Sequence, residues 1–177
     1  MEFTYNNIVN FMEEYIKTFN KYGQDAETIN RLDEYYAPDI SEYTFQDIGV
    51  DPDELTCRSP RSSLFTGGRE GLYKLILNNR GIKNNLTLLN MIVDERQREV
   101  HTTLKDVITD IETGKIKLEV VFTIIYRLVL DERNTIKIAK IGDFHYNGTE
   151  TAIMDYLWSN EKYPFTYPPR KTTKMNP

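Results

Sequence analysis

At 177 residues, with 40% hydrophobic and 28% charged side chains, the chain is large enough for one domain to remove more than about 65% of its unfolded surface from water. That composition excludes the disordered, collagen-like and coiled-coil classes. The formal net charge of −5, with no basic stripe before Arg170, Lys171 and Lys174, leaves no electrostatic footprint for nucleic acid, so none is expected as a partner.

The first element, in chain order, is a helix. Ile8, Phe11, Met12, Tyr15, Ile16, Phe19 and Tyr22 recur every three or four residues and mark one apolar stripe, which Gly23 ends. Asp25 is a suitable N-cap for a second helix with a buried face of Ile29, Leu32 and Tyr36, stopping at Ala37-Pro38. A short strand from Ile40 to Phe45 comes next. Residues 46–63 hold two Pro and no sustained period, so they form a long loop of the kind that covers binding sites. Thr66 can cap a third helix carrying Leu72, Leu75 and Ile76, with Arg80-Gly81 as its stop.

From Leu86 the period changes from 3.6 to two. Leu86 to Val93, Arg98 to Ile111, Lys115 to Leu130 and Thr135 to Tyr146 are strand-like runs joined by the polar turns DERQ, TG and DERN, which impose an antiparallel meander. In the third run Leu118, Val120, Phe122, Ile124, Tyr126, Leu128 and Leu130 share a buried face. Val121, Ile125 and Val129 leave the other face too apolar to be simply solvated, so a homodimer is expected there. The domain is expected to span residues 1–155, with 156–177 as a Pro-rich tail.

The first residues carry acids among their apolar side chains and are not a secretion signal, and no apolar run approaches the roughly 20 residues that cross a bilayer. The lone Cys57 excludes an internal disulfide and belongs to no Cys/His cluster. Together these point to a cytoplasmic protein without membrane contact. The triplets Asn85-Leu-Thr87 and Asn147-Gly-Thr149 are then chance matches to a glycosylation site. With two His, no metal-ligand spacing and no Lys-Ser/Thr ending to Thr66-Gly-Gly-Arg-Glu-Gly, neither a metal nor a cofactor is expected.

Three segments carry a resemblance: Tyr35-Tyr36-Ala37-Pro38-Asp39-Ile40, Phe65-Thr-Gly-Gly-Arg69-Glu70-Gly71, and Ile136-Lys-Ile-Ala-Lys-Ile-Gly-Asp143-Phe144. In their order and spacing, residues 5–146 resemble the SnoaL-like polyketide cyclases, ketosteroid isomerase, scytalone dehydratase and nuclear transport factor two. The resemblance implies an α+β fold: a cone-shaped, curved antiparallel sheet, packed with three N-terminal helices and enclosing an apolar pocket. The superfamily hosts enzymes, binding modules and assembly domains, so the fold alone does not fix the function.

The same resemblance places Asp143 where the cyclases hold their general acid/base. Facing an apolar pocket, a carboxylate would have its pKa raised toward a useful proton-transfer range; facing outward or paired with a cation, it would be structural. Tyr15 falls near the position from which the isomerase gives a phenol to an oxyanion, and it also sits on a stripe that would be core in any helix. No carboxylate stands at Tyr43-Thr44, where the isomerase's base would fall, which argues against its chemistry by the same residues. Pairing the strands by their turns sets Asp143 opposite Phe122, Tyr126 opposite His101 and Phe122 opposite Lys105. His101 then meets Asp143 only through a β-bulge, and is otherwise a histidine of the outer face. His145, beside the end of the last strand, reads as a surface residue.

Tyr126, Phe122, Phe11 and Phe19 would line the pocket. Two readings are open. One is a cofactor-independent cyclase, isomerase or dehydratase acting on a small hydrophobic or aromatic molecule through Asp143, with Tyr15, Tyr126 or His101 orienting a carbonyl. The other is a non-catalytic module of the same fold, its interior filled by its own aromatics.

Overall fold

The computed structural model describes residues 2–43, 65–78 and 81–145, and the backbone alone of residues 143–145. Helix α1 (Tyr5–Tyr22) starts where the Thr4 hydroxyl accepts the Asn7 amide at 3.4 Å, and it closes with the Gly23 amide on the Phe19 carbonyl at 2.8 Å. Its predicted stripe is its buried face, with Ile8, Met12, Tyr15 and Ile16 in the core.

The expected second helix is shorter than its pattern. Asp25 does accept the Glu27 amide, as a capping side chain would, but the helical turns beyond it amount to a single tight 3-10 segment, Ile29–Glu34. The chain is pulled out of helix at Tyr35, whose carbonyl accepts the Ile138 amide at 2.7 Å, so Tyr36 opens strand β1 (Tyr36–Glu42). Pairing with the sheet outweighs helical propensity. The strand therefore begins four residues before the expected Ile40.

Helix α2 (Gly68–Leu77) is capped by Gly67 with φ +88°, and Thr66 is not its N-cap. The glycines have a steric reason. At Gly68, φ is +63° and a Cβ would lie 2.4 Å from the Pro38 carbonyl oxygen; at Gly71 it would lie 1.7 Å from that of Thr66. The helix start is thus pressed against β1.

The remaining elements are β2 (Ile82–Lys83), β3 (Leu86–Asp94), β4 (Glu99–Asp110), β5 (Ile116–Leu130) and β6 (Ile136–His145), with the last four within two residues of the expected runs. The sheet order is β1-β6-β5-β4-β2, with β3 also on β4, and the sheet is strongly curled into a half-barrel with α1 packed on it. It is mixed, not purely antiparallel, because β1 runs parallel to β6. No hairpin joins that pair, so the short-turn argument for antiparallel neighbours does not reach it.

Register departs from the turn-based expectation in two places. Across β5 and β6, Leu130 pairs with Ile136, one residue further than the DERN turn implied, and a bulge between Arg127 and Leu128 adds another. The two shifts put Asp143 opposite Ile124 instead of Phe122, a displacement of two that preserves its face. Across β4 and β5 the net displacement is one. Tyr126 therefore pairs with Val100 and Phe122 with Leu104, and His101 and Lys105 fall on the opposite face from both aromatics. The bulge in this ladder lies at Ile108/Thr109, far along the strand from His101. The long loop expected at 46–63 and the tail expected from 156 lie outside the described residues. Among the described residues no helix is long and apolar enough to cross a membrane.

Candidate functional site

The concave face of the sheet carries Val100, Thr102 and Leu104 from β4, and Val120, Phe122, Ile124, Tyr126 and Leu128 from β5, all buried. Helix α1 lays Tyr15 onto this face, β1 brings Tyr36 beside it, and the three phenols converge. Tyr15, Tyr36 and Tyr126 are 2%, 1% and 0% exposed, and the Tyr15 and Tyr36 hydroxyls are 2.7 Å apart. The Tyr15 ring meets those of Tyr36 and Tyr126 edge-on, at 5.6 and 5.8 Å between centroids. Edge-to-face contact is the favoured geometry for paired aromatic quadrupoles.

Burial pushes the Tyr15 phenol up to about 12, against the pull of hydrogen bonds from Tyr36 and Tyr126. Burial likewise drives Tyr36 well above the usual phenol range. At neutral pH the cluster is uncharged. It can offer hydrogen bonds to an oxygen atom and cannot act as a base. Tyr73 of α2 extends it toward the surface: its ring lies 6.1 Å from that of Tyr36 and its hydroxyl donates to Asp33 Oδ1 at 2.8 Å. Asp33 is in turn held by Arg69 Nε at 3.2 Å.

Phe11 and Phe19, the expected lining of α1, are partly buried against the same core, Phe11 on Tyr35 at 5.5 Å and Phe19 on Tyr15 at 6.4 Å. On β5 the tyrosine end is sealed, whereas Phe122 and Ile124 keep 6% and 8% of their surface exposed.

Asp143 of β6 pairs with Ile124. Its side chain lies outside the described residues, but its backbone occupies the ladder row of Ile124 and Thr102, two residues buried on the concave face. Ile141, in the preceding concave-face position of β6, pairs directly with Tyr126. Asp143 is thus the diagonal cross-strand neighbour of Tyr126, a spacing of about 7–8 Å. Thr102 flanks Ile124 on the other side, its hydroxyl donating to the Ile124 carbonyl at 3.3 Å.

His101 belongs elsewhere. Its side chain is 41% exposed on the outer face, with Nε2 3.8 Å from Glu99 Oε2. Glu99 is held there by Arg127, through Nε at 3.1 Å and through its NH2 group, and by the Tyr43 hydroxyl at 2.9 Å. Burial raises the Glu99 pKa, but the hydrogen bonds from Arg127 and Tyr43 and the Arg127 charge outweigh it and leave the carboxyl below its usual range. The structure brings together Tyr15, Tyr126, Phe122 and the ladder position of Asp143, and separates His101 from them.

Tyr36, Tyr73 and Thr102 were not legible as members of this site. Tyr36 has helical spacing to Ile29 and Leu32, which hid its place in a strand. The doublet Tyr35-Tyr36 before Ala-Pro was the available signal, since a residue at the start of an extended stretch can turn in the opposite direction from its neighbour.

No family model matches the chain, and no curated protein matches it in sequence. Solved structures match it in fold. BvnE pinacolase from Penicillium brevicompactum is 16% identical with a TM-score of 0.57, over 88% of this chain and 93% of that one. ActVI-ORFA from Streptomyces coelicolor is 8% identical with a TM-score of 0.54, over 81% and 95%. An LEH-like epoxide hydrolase from M. tuberculosis is 12% identical with a TM-score of 0.51, over 85% and 94%. Identities this low establish fold and not activity: the chain shares the curled α+β fold of these proteins.

Proposed function

We propose that this protein binds a small hydrophobic or aromatic molecule against Phe122 and Ile124 and moves a proton on it without a cofactor, as in cyclisation, isomerisation or dehydration. What supports this reading is the backbone ladder row Asp143–Ile124–Thr102, in which Ile124 and Thr102 are buried on the concave face, one row pair from Tyr126, whose ring packs on the hydrogen-bonded Tyr15. Asp143 is the acid/base. The phenols, neutral and already oriented by one another, supply the donor toward a ligand oxygen, with Tyr126 as the one that Ile141 places next to the Asp143 row.

A second reading, a non-catalytic module, draws on a specific observation. Tyr15, Tyr36 and Tyr126 are sealed from solvent and pack ring against ring, as a self-filled interior would. The two readings separate on binding of 2-naphthol, a planar apolar body with one hydroxyl. Saturable binding, followed by its fluorescence and weakened in Tyr126→Phe, supports a ligand site. No binding at its solubility limit leaves only the module.

A further inference from the structure

The end of the concave face beyond Phe122 holds a polar cluster that the proposed chemistry does not use. Asn20 of α1 and Gln24 just past its end each pair both ways with the backbone entering β3. Asn20 bonds the Leu86 amide and carbonyl at 2.8 Å, and Gln24 bonds those of Asn84 at 2.6 and 2.7 Å. This clasp fixes Asn84 and Asn85 beside Asp106 of β4, whose Oδ1 accepts the Asn85 amide at 2.9 Å and whose Oδ2 accepts from the Asn84 side-chain NH2. Asp106 is 3% exposed, the one buried carboxyl group among the described residues. It pairs with Val120 and Leu86 and lies on the concave face with Thr102 and Leu104, because every second residue of β4 from Val100 to Ile108 is buried. Phe122, which pairs with Leu104, is its diagonal cross-strand neighbour at about 7–8 Å. Thr102, in the Asp143 row, is four residues away along β4, about 13 Å at the rise of a strand.

The clasp itself does not require a carboxyl group. An amide oxygen would accept the Asn85 N–H, and Asn84, turned over, would accept from the amide NH2. Burying a carboxylate where an amide would serve costs desolvation. What an ionised carboxyl adds is acceptor capacity, about four sites, of which these two bonds use one on each oxygen. We infer that Asp106 is a second polar anchor of the ligand site proposed above, accepting a hydroxyl that the ligand carries at the end remote from the Asp143 row. This rests on that site and narrows its ligand to an apolar or aromatic body with a hydrogen-bond donor at one end, held along Phe122 between Asp106 and the phenols. An acceptor-only group discriminates against an ether or a carbonyl in the same place, since two acceptors then face each other.

Fluorescence titration of the full chain with three naphthalenes tests the inference. Naphthalene-2,6-diol carries a second hydroxyl at the opposite end from the first, 2-naphthol has none there, and 6-methoxy-2-naphthol has an oxygen that cannot donate. The wild type should bind the diol at least about tenfold more tightly than either of the others, the scale of a hydrogen bond to a charged acceptor. In Asp106→Asn, with circular dichroism unchanged, the preference for the diol over 2-naphthol should fall to within about threefold. A role confined to the clasp would alter both affinities alike and leave the preference where it was. The wild-type comparison stands even where the variant does not fold. Binding of 2-naphthol with no preference for the diol, or a preference undiminished in folded Asp106→Asn, overturns this inference and leaves the ligand site. Failure of all three to bind removes the site and the inference with it.

Discussion

Removing the Tyr15 hydroxyl should cost more than removing that of Tyr36, although the two share one 2.7 Å hydrogen bond. Tyr15 stands in the middle, its hydroxyl hydrogen-bonded to that of Tyr36 and its ring edge-on to that of Tyr126. Tyr15→Phe therefore takes a hydrogen-bond partner from Tyr36 and a polar neighbour from Tyr126, whereas Tyr36→Phe leaves Tyr15 beside the Tyr126 phenol. A buried polar group left without its partner costs about 1–3 kcal/mol, so roughly 2–3 kcal/mol is expected for Tyr15→Phe and about 1 kcal/mol for Tyr36→Phe. At about 2–4 °C per kcal/mol for a domain of this size, the first should lower Tm by roughly 5–10 °C. The double substitution removes both ends of the shared bond and should cost less than the sum by about 0.5–1.5 kcal/mol. Urea unfolding with an unchanged m-value measures all three. Equal single costs, or strict additivity, would refute the central place given to Tyr15.

Three further outcomes are expected. Because burial holds the Tyr15 phenol near 12 in the folded state against 10.0 unfolded, stability should be level below pH 10 and fall as pH rises through 10 to 12, where the unfolded chain ionises first. The loss should reach roughly 2–3 kcal/mol for this group, read by denaturant unfolding at each pH. Gly68→Ala should destabilise by about 2–3 kcal/mol, since it adds a left-handed backbone penalty to the 2.4 Å clash with Pro38, and thermal unfolding reports it. His101→Ala should leave 2-naphthol affinity within about twofold, as expected for a residue on the opposite sheet face from the ligand, and titration by fluorescence measures this.

Legibility in the sequence depended on range. The α1 stripe and the β5 alternation are local patterns repeated over many residues, and both were read correctly down to the buried members Ile8, Met12, Tyr126 and Leu128. Register was not legible, because it depends on the length of each turn and on single-residue bulges at Arg127/Leu128 and Ile108/Thr109, which leave no mark on a two-residue period. The consequence was unequal. A slip of two kept Asp143 on its face, and a slip of one moved His101 to the other. The tyrosine cluster joins α1, β1 and β5, and the parallel seam of β1 with β6 that assembles it is invisible to local periodicity.

The most direct test of the proposed chemistry is proton transfer itself, which needs no knowledge of the natural substrate. Exchange of the α-hydrogens of 2-tetralone for deuterium, followed by proton NMR in D2O, reports enolisation of a ketone of the proposed chemical class. An acid/base at Asp143 predicts exchange above the buffer rate that falls by about 10²–10⁴-fold in Asp143→Asn, with 2-naphthol affinity retained, because the amide keeps volume and hydrogen bonding but carries no exchangeable acid. Exchange no faster than buffer with the ketone bound, or exchange undiminished in Asp143→Asn, would contradict it.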